Sequence, residues 1–170
     1  MASYTFRKAE ETDIKRIWEI IQQAKAQMKR LGSNQWNESY PAIENIQQDI
    51  TAGNGYVLCQ DNQVIVYGVI SFDGEPVYEQ IKEKWSNSLP YVIVHRLAVA
   101  DEAKHQGMAK KFMLQAEAVS REKGVHFFRI DTKYDNKYML QLISSMGFRF
   151  CGNVYYRNNT EERMAFEKQI

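Results

Sequence analysis

Ten residues, "KHQGMAKKFM" from Lys104 to Met113, put positive charge in an awkward place. Met108, Phe112, Ala116 and Val119 recur at helical spacing, so a helix is expected to begin near Gly107. Its first turn then carries Lys110 and Lys111, with Lys104 and His105 just outside. The amino end of a helix already bears partial positive charge, and cations there cost roughly 0.3–1 kcal/mol each. The choice makes sense if the helix start faces an anion. Free backbone N–H groups, the helix dipole and lysine side chains would then all serve one negative charge. Gly107 and Ala109 would keep side-chain bulk off the backbone. A surface helix with solvated lysines accounts for the same residues.

Nucleotide loops of known pattern do not fit. The triphosphate-binding pattern G-x-x-x-x-G-K-[ST] is absent, as is the three-glycine dinucleotide fingerprint. A diphosphate held by another loop geometry remains. The two cysteines, Cys59 and Cys151, lie far apart without ligand spacing. They read as reduced, partly buried thiols, and no metal site is expected.

The elements that must position this loop follow from periodicity. "SYTFRKA" alternates as a short strand. Thr12 to Leu31 keeps a helical apolar stripe through Ile14, Ile17, Trp18, Ile21, Ala24, Met28 and Leu31. A polar loop, "SNQWNESYP", precedes a shorter helix closed by Gly53. Two strands, "GYVLCQD" and "QVIVYGVISF", meet at Asp61-Asn62, a hairpin turn pair. Asp73 to Pro90 reads as a loop with a partial strand or helix. "YVIVHRLAV" is apolar enough for a strand covered on both faces. It runs straight into the basic loop, as strands do at α/β phosphate sites. After the helix to about Lys123 come the strand "VHFFRIDT", the helix "NKYMLQLISSMGF", and two strands, "FRFCGNVYY" and "RMAFEKQ", around "RNNTEE". This predicts one mixed α/β domain over residues 1–170 with a central sheet.

Two stretches carry a family resemblance. "RLAVADEAKHQGMAKKFM" resembles the phosphate loop of the GNAT superfamily of N-acetyltransferases, Gln/Arg-x-x-Gly-x-Gly/Ala after a strand often ending Leu-Ala-Val. Gly107 and Ala109 match, and Lys104 stands at the Gln/Arg position. "DNKYMLQLISSMGF" is similar to the family's second region, with Asn136, Leu142, Gly147 and Phe148 matching. The resemblance implies about seven mostly antiparallel strands with a splayed parallel pair, flanked by about four helices.

It also implies acetyl-CoA as co-substrate and an amine as acceptor, with no metal. Backbone groups of Lys104, His105, Gln106, Gly107, Met108, Ala109 and Lys110 are expected around the diphosphate. Those of Leu97, Ala98 and Val99 are expected along the pantetheine arm, and Asn136 touches the arm, caps its helix, or does both. The family often places a tyrosine after the leucine of the second region to protonate the departing thiolate. That position is Ile143 here, which cannot donate a proton. Tyr138 on the same helix is the substitute carried forward; Tyr155 and Tyr156 on a later strand are weighed beside it.

A primary amine, with an ordinary pKa of about 10.4 for lysine, must lose a proton before it attacks. His95 is the candidate base, since alternation would put it on the same strand face as Leu97. A hydrogen-bonded structural histidine fits the position too. Trp36, Tyr40, Trp85 and Tyr91 are candidate acceptor-pocket residues, with Glu38, Asp73, Glu75 and Glu79 nearby to attract a cation; ordinary aromatic burial explains them equally.

The expected reaction is transfer of an acetyl group to a primary amine of a small molecule or peptide by direct attack. A non-catalytic acyl-CoA-binding or sensing module is the alternative. Lys plus Arg is 22 against Asp plus Glu 21, which argues against a general nucleic-acid or membrane partner. No apolar run approaches the ~20 residues of a membrane span, and the start has no signal-like apolar region, so a cytoplasmic location is expected. Exposed strands near the carboxyl end could pair two subunits as a homodimer.

Overall fold

The computed structural model describes residues 1–170. Seven strands, β1 (Tyr4–Lys8), β2 (Gly55–Gln60), β3 (Gln63–Ser71), β4 (Val92–Val99), β5 (Phe127–Thr132), β6 (Arg149–Tyr156) and β7 (Glu161–Gln169), form one mixed sheet. Their order is β1-β2-β3-β4-β5-β7-β6. Four α-helices, α1 (Ile14–Arg30), α2 (Ile43–Thr51), α3 (Met108–Glu122) and α4 (Lys137–Ser145), and three 3-10 segments complete the chain.

Local chemistry accounts for most boundaries. Asp61 and Asn62 both take left-handed backbone angles, which a tight hairpin needs, and join β2 to β3. β4 and β5 are parallel, pairing Val92 with Phe128 and Ile93 with Arg129. A parallel pair needs a long crossover, and α3 supplies it. Asn136 caps α4, its side chain accepting from the Met139 N–H at 3.3 Å.

Within the loop expected to hold a partial strand or helix, Pro76–Lys84 winds into 3-10 turns, broken at Ile81. Glu75 starts it by accepting from the Val77 N–H, and the buried Tyr78 and Ile81 hold it down. β7 begins at Glu161, two residues before the expected Arg163. The acids there are balanced across the strand: Arg163 donates to Glu161 at 2.7 Å, and Tyr155 to Glu162 at 2.9 Å.

The chain forms two compact units, one of residues 1–70 with 94–116, the other of residues 71–93 with 117–170. The first is built on Ile17, Ile20, Ile21, Ile46, Val57, Tyr67, Val69 and Ala98. Each large apolar side chain so buried is worth about 1.5–3 kcal/mol. The second is built on Tyr78, Ile81, Trp85, Ile93, Cys151, Val154 and Ala165. In the second unit β6 ends the sheet. There the Gln80 carboxamide donates to the Tyr155 carbonyl and accepts from the Tyr155 N–H, both at 2.8 Å. No helix is long and apolar enough to cross a membrane.

Candidate active site

The basic loop leads directly into α3. α3 starts at Met108, and its first backbone bond runs from the Lys111 N–H to the Gly107 carbonyl at 3.0 Å. The amides of Met108, Ala109 and Lys110 come before that bond and have no acceptor inside the helix. His105 and Gly107 are left-handed, with φ of 62° and 76°. Left-handed residues alternating with ordinary ones turn successive amides toward one side, a concavity that suits anions. A Cβ at Gly107 would meet nothing within 4 Å, so that side of the backbone is open.

The cations divide their work. Lys104 Nζ donates to Asp101 at 2.5 Å, and Gln106 reaches back to the Glu102 carbonyl at 3.1 Å. Both contacts tie the loop to the 3-10 turn at Asp101–Ala103. Lys111 lies over the Tyr4 ring, 4.2 Å from its centre. His105 and Lys110 are exposed.

β4 leads into this loop, and its course is not regular. Arg96 is left-handed, with φ of 51°, in the middle of the strand. Such a conformation costs a non-glycine residue on the order of 1–2 kcal/mol. Leu97 lies toward α3: a Cβ at Gly68 would meet the Phe112 ring at 2.6 Å and Leu97 Cδ1 at 3.3 Å. Arg96 and Ala98 lie on the other face, with α2 and the α1 cluster. Left-handed Arg96 stands between His95 and Leu97 on this strand. His95 remains half-buried on β4.

Arg96 is the centre of a polar cluster. Its Nε donates to Asp49 Oδ2 at 2.9 Å, a second guanidinium nitrogen pairs with Asp49 Oδ1, and Nη1 donates to the Tyr40 hydroxyl at 2.9 Å. Tyr67 donates to Asp49 Oδ2 at 2.7 Å. Burial works against the guanidinium charge, but Asp49 and Tyr40 more than restore it, and its pKa lies above the ordinary value. Burial, then the charge of Asp49, pushes the Tyr67 hydroxyl up.

The second unit holds a different set. Arg129, on β5, lies between the Trp85 and Tyr91 rings, 4.3 and 4.1 Å from their centres. It donates to Glu167 at 2.9 Å, and Arg149 and the Ser86 N–H also reach that carboxylate. Asp131 accepts from Tyr78 at 2.6 Å and from Tyr156 at 3.0 Å. Burial, then Asp131, pushes the Tyr156 hydroxyl up, and the hydrogen bond to Glu162 does so for Tyr155.

The expected acceptor aromatics thus have other duties. Trp36 is 7% exposed, within the α1 core cluster. Tyr40 offers its hydroxyl to Arg96. Trp85 and Tyr91 are brought together, but around Arg129, so their faces already hold a cation. Glu75 is half-buried, with burial pushing its carboxyl up. Tyr138 stands exposed on the first turn of α4, and Ile143 is buried at 1%. A cavity of about 680 Å³ between α1 and α2, lined partly by Ile14, Trp18, Ile43 and Ile50, includes none of the nominated residues.

Asp49, Arg96 and Tyr67 were not singled out from the sequence. The signal was there: Asp49 falls three residues after Ile46 on the apolar side of α2, and Arg96 sits inside an apolar strand. A charge in either place needs a partner.

The model of the acetyltransferase (GNAT) family matches residues 14–148. The chain belongs to the GNAT family. It is an acyltransferase, and the family uses acetyl-CoA. Among solved structures it is similar to a GNAT acetyltransferase from Streptococcus agalactiae, with 29% identity and a TM-score of 0.87 over 98% of this chain and 95% of that one. A GNAT acetyltransferase from Listeria monocytogenes matches at 21% identity and TM-score 0.76, over 98% and 95%. The yncA structure from Salmonella typhimurium, with its cofactor acetyl-CoA, matches at 16% and 0.69, over 98% and 93%. These two share the fold. No curated protein matches the chain in sequence.

Proposed function

We propose that this GNAT chain acetylates a primary amine of a small molecule or peptide by direct attack. The observation that carries the reading is the loop before α3, with left-handed His105 and Gly107 and three amides without helical acceptors. When bound, acetyl-CoA supplies the acetyl group as a thioester. The backbone from Lys104 to Lys110 holds its diphosphate, backbone groups of Leu97, Ala98 and Val99 hold its arm, and Asn136 contacts that arm. The Leu97 amide faces the thioester oxygen, where negative charge develops. His95, or water beside it, takes the amine proton. Tyr138, exposed on the first turn of α4, is the proton donor to the leaving thiolate. A covalent acetyl-cysteine is disfavoured. Cys59 and Cys151 are buried, and burial pushes both thiols up, away from the reactive thiolate.

Thiol release from acetyl-CoA, followed across polyamines, amino acids, aminoglycosides and peptide amines, tests the reading. At least one amine should turn over, and His95→Ala should lower kcat while leaving CoA affinity unchanged. CoA binding with no amine accepted would count against it.

A further inference from the structure

Arg96 is a left-handed arginine inside a strand, and the fold spends unusual effort on keeping it so. Backbone outliers of this kind persist only where the surroundings over-determine them, and they gather at functional positions. Here the surroundings are a two-pronged grip by Asp49, itself fixed by the Tyr67 hydroxyl at 2.7 Å, and one bond to Tyr40. Asp49 is 7% exposed and sits on α2, a rigid element. The residue after the outlier is Leu97. Its amide direction is set by the peptide that Arg96 twists.

We propose that Asp49 is a positioning residue: by gripping Arg96 it holds the bend of β4 that aims the Leu97 amide at the thioester oxygen. This rests on the reading that the Leu97 region receives the acetyl thioester. Asp49 touches no reacting atom. It acts through the Arg96 guanidinium, whose planar fork meets both carboxylate oxygens as a lysine could not. Tyr40, in the loop before α2, shares the same guanidinium, so that loop is tied to the bend as well.

The test needs no acceptor. The carbonyl stretch of acetyl-CoA carrying ¹³C at the thioester carbon is read by infrared difference spectroscopy, at saturating ligand on folded protein. A hydrogen bond to that oxygen lowers the frequency. The wild type should show the shift. It should shrink in Arg96→Ala and in Asp49→Asn, and partly return in Arg96→Gly, because glycine adopts a left-handed angle without strain. A role in stability alone would lower the melting temperature of these variants and leave the bound carbonyl where it was. Arg96→Lys keeps the charge but loses the fork, and serves where the other variants do not fold; its shift must fall below wild type. An unchanged shift in Arg96→Ala, Asp49→Asn or Arg96→Lys overturns the proposal, as does a loss in Arg96→Gly as deep as in Arg96→Ala. Wild-type protein that binds no acetyl-CoA by calorimetry sinks the functional reading and this proposal together; wild type that binds with an unshifted carbonyl sinks this proposal and the Leu97 contact it rests on, and leaves acetyl transfer to an amine standing.

Discussion

Arg129, buried, and Arg96, half-buried, each grip a carboxylate, and they are held for different ends. Arg129 follows an ordinary strand, its guanidinium layered between Trp85 and Tyr91 and bonded to Glu167. Its backbone is relaxed, and every partner lies within its own unit. Arg96 has a comparable carboxylate partner in Asp49, yet its backbone is twisted into a disfavoured region. The first arrangement is what stability alone would select. The second retains local strain next to Leu97, whose amide is proposed to meet the thioester oxygen. A carboxylate partner is common to both; strain separates them.

The comparison can be broken by mutation. Glu167→Ala leaves Arg129 without its carboxylate in a nearly sealed site, the two side chains being 5% and 3% exposed. Loss of one partner of such a pair should cost about 3–5 kcal/mol, read as the midpoint shift in urea unfolding. A cost below about 1 kcal/mol would mean that the aromatic sandwich, not the ion pair, holds Arg129.

Gly68→Ala probes the strained side. The added Cβ would sit 2.6 and 2.7 Å from Phe112 ring carbons, so overpacking should cost about 1–3 kcal/mol. Leu97 would be pushed as well, so kcat should fall more than the same destabilisation causes when placed near Arg129. Equal kcat in variants matched for stability would remove the distinction between the two regions.

Gly107→Val tests whether the loop beyond the bend is a binding surface. Its backbone is left-handed, and the new side chain would stand where nothing now stands within 4 Å. CoA affinity measured by calorimetry should fall about tenfold or more, equivalent to about 1.4 kcal/mol. Unchanged affinity would move the diphosphate elsewhere.

The mildest test is pH. Burial works to raise the Glu167 pKa, but hydrogen bonds from Ser86 and Arg129, with the Arg129 charge, outweigh it, and the carboxyl titrates below its ordinary range. A depressed carboxyl adds stability above its unfolded pKa of about 4.3, and that stability is lost as pH falls through the folded value. The acid limb of the stability curve, measured between about pH 2 and 6, should be steeper in wild type than in Glu167→Gln. Parallel limbs would show that Glu167 titrates alike in both states.

The legible and illegible parts of this molecule divide along the range of the interactions that fix them. The hairpin at Asp61-Asn62, the Asn136 cap and the start of α3 are set by residues within a few positions, and all were readable. The loop at Lys104–Ala109 was readable for the same reason: its charges conflict with the helix they precede. The bend at Arg96 was not. It depends on Asp49, 47 residues earlier, and on a tyrosine from the neighbouring strand. Alternation along β4 carries no signal for a left-handed residue at Arg96. The aromatics likewise depend on a distant residue. Trp85 and Tyr91 have the composition of a cation-binding pocket, and they do bind a cation, but one of the chain's own.

The carboxamide of Gln80 has a consequence for how this chain can meet others. Open strand margins invite foreign strands, because their main-chain groups stand ready to continue the ladder. At Tyr155 both of those groups are already answered by a side chain that has the same donor and acceptor as a peptide unit. Gln80 is thus a one-residue plug, and a chain that would extend the sheet at Tyr155 must first evict it.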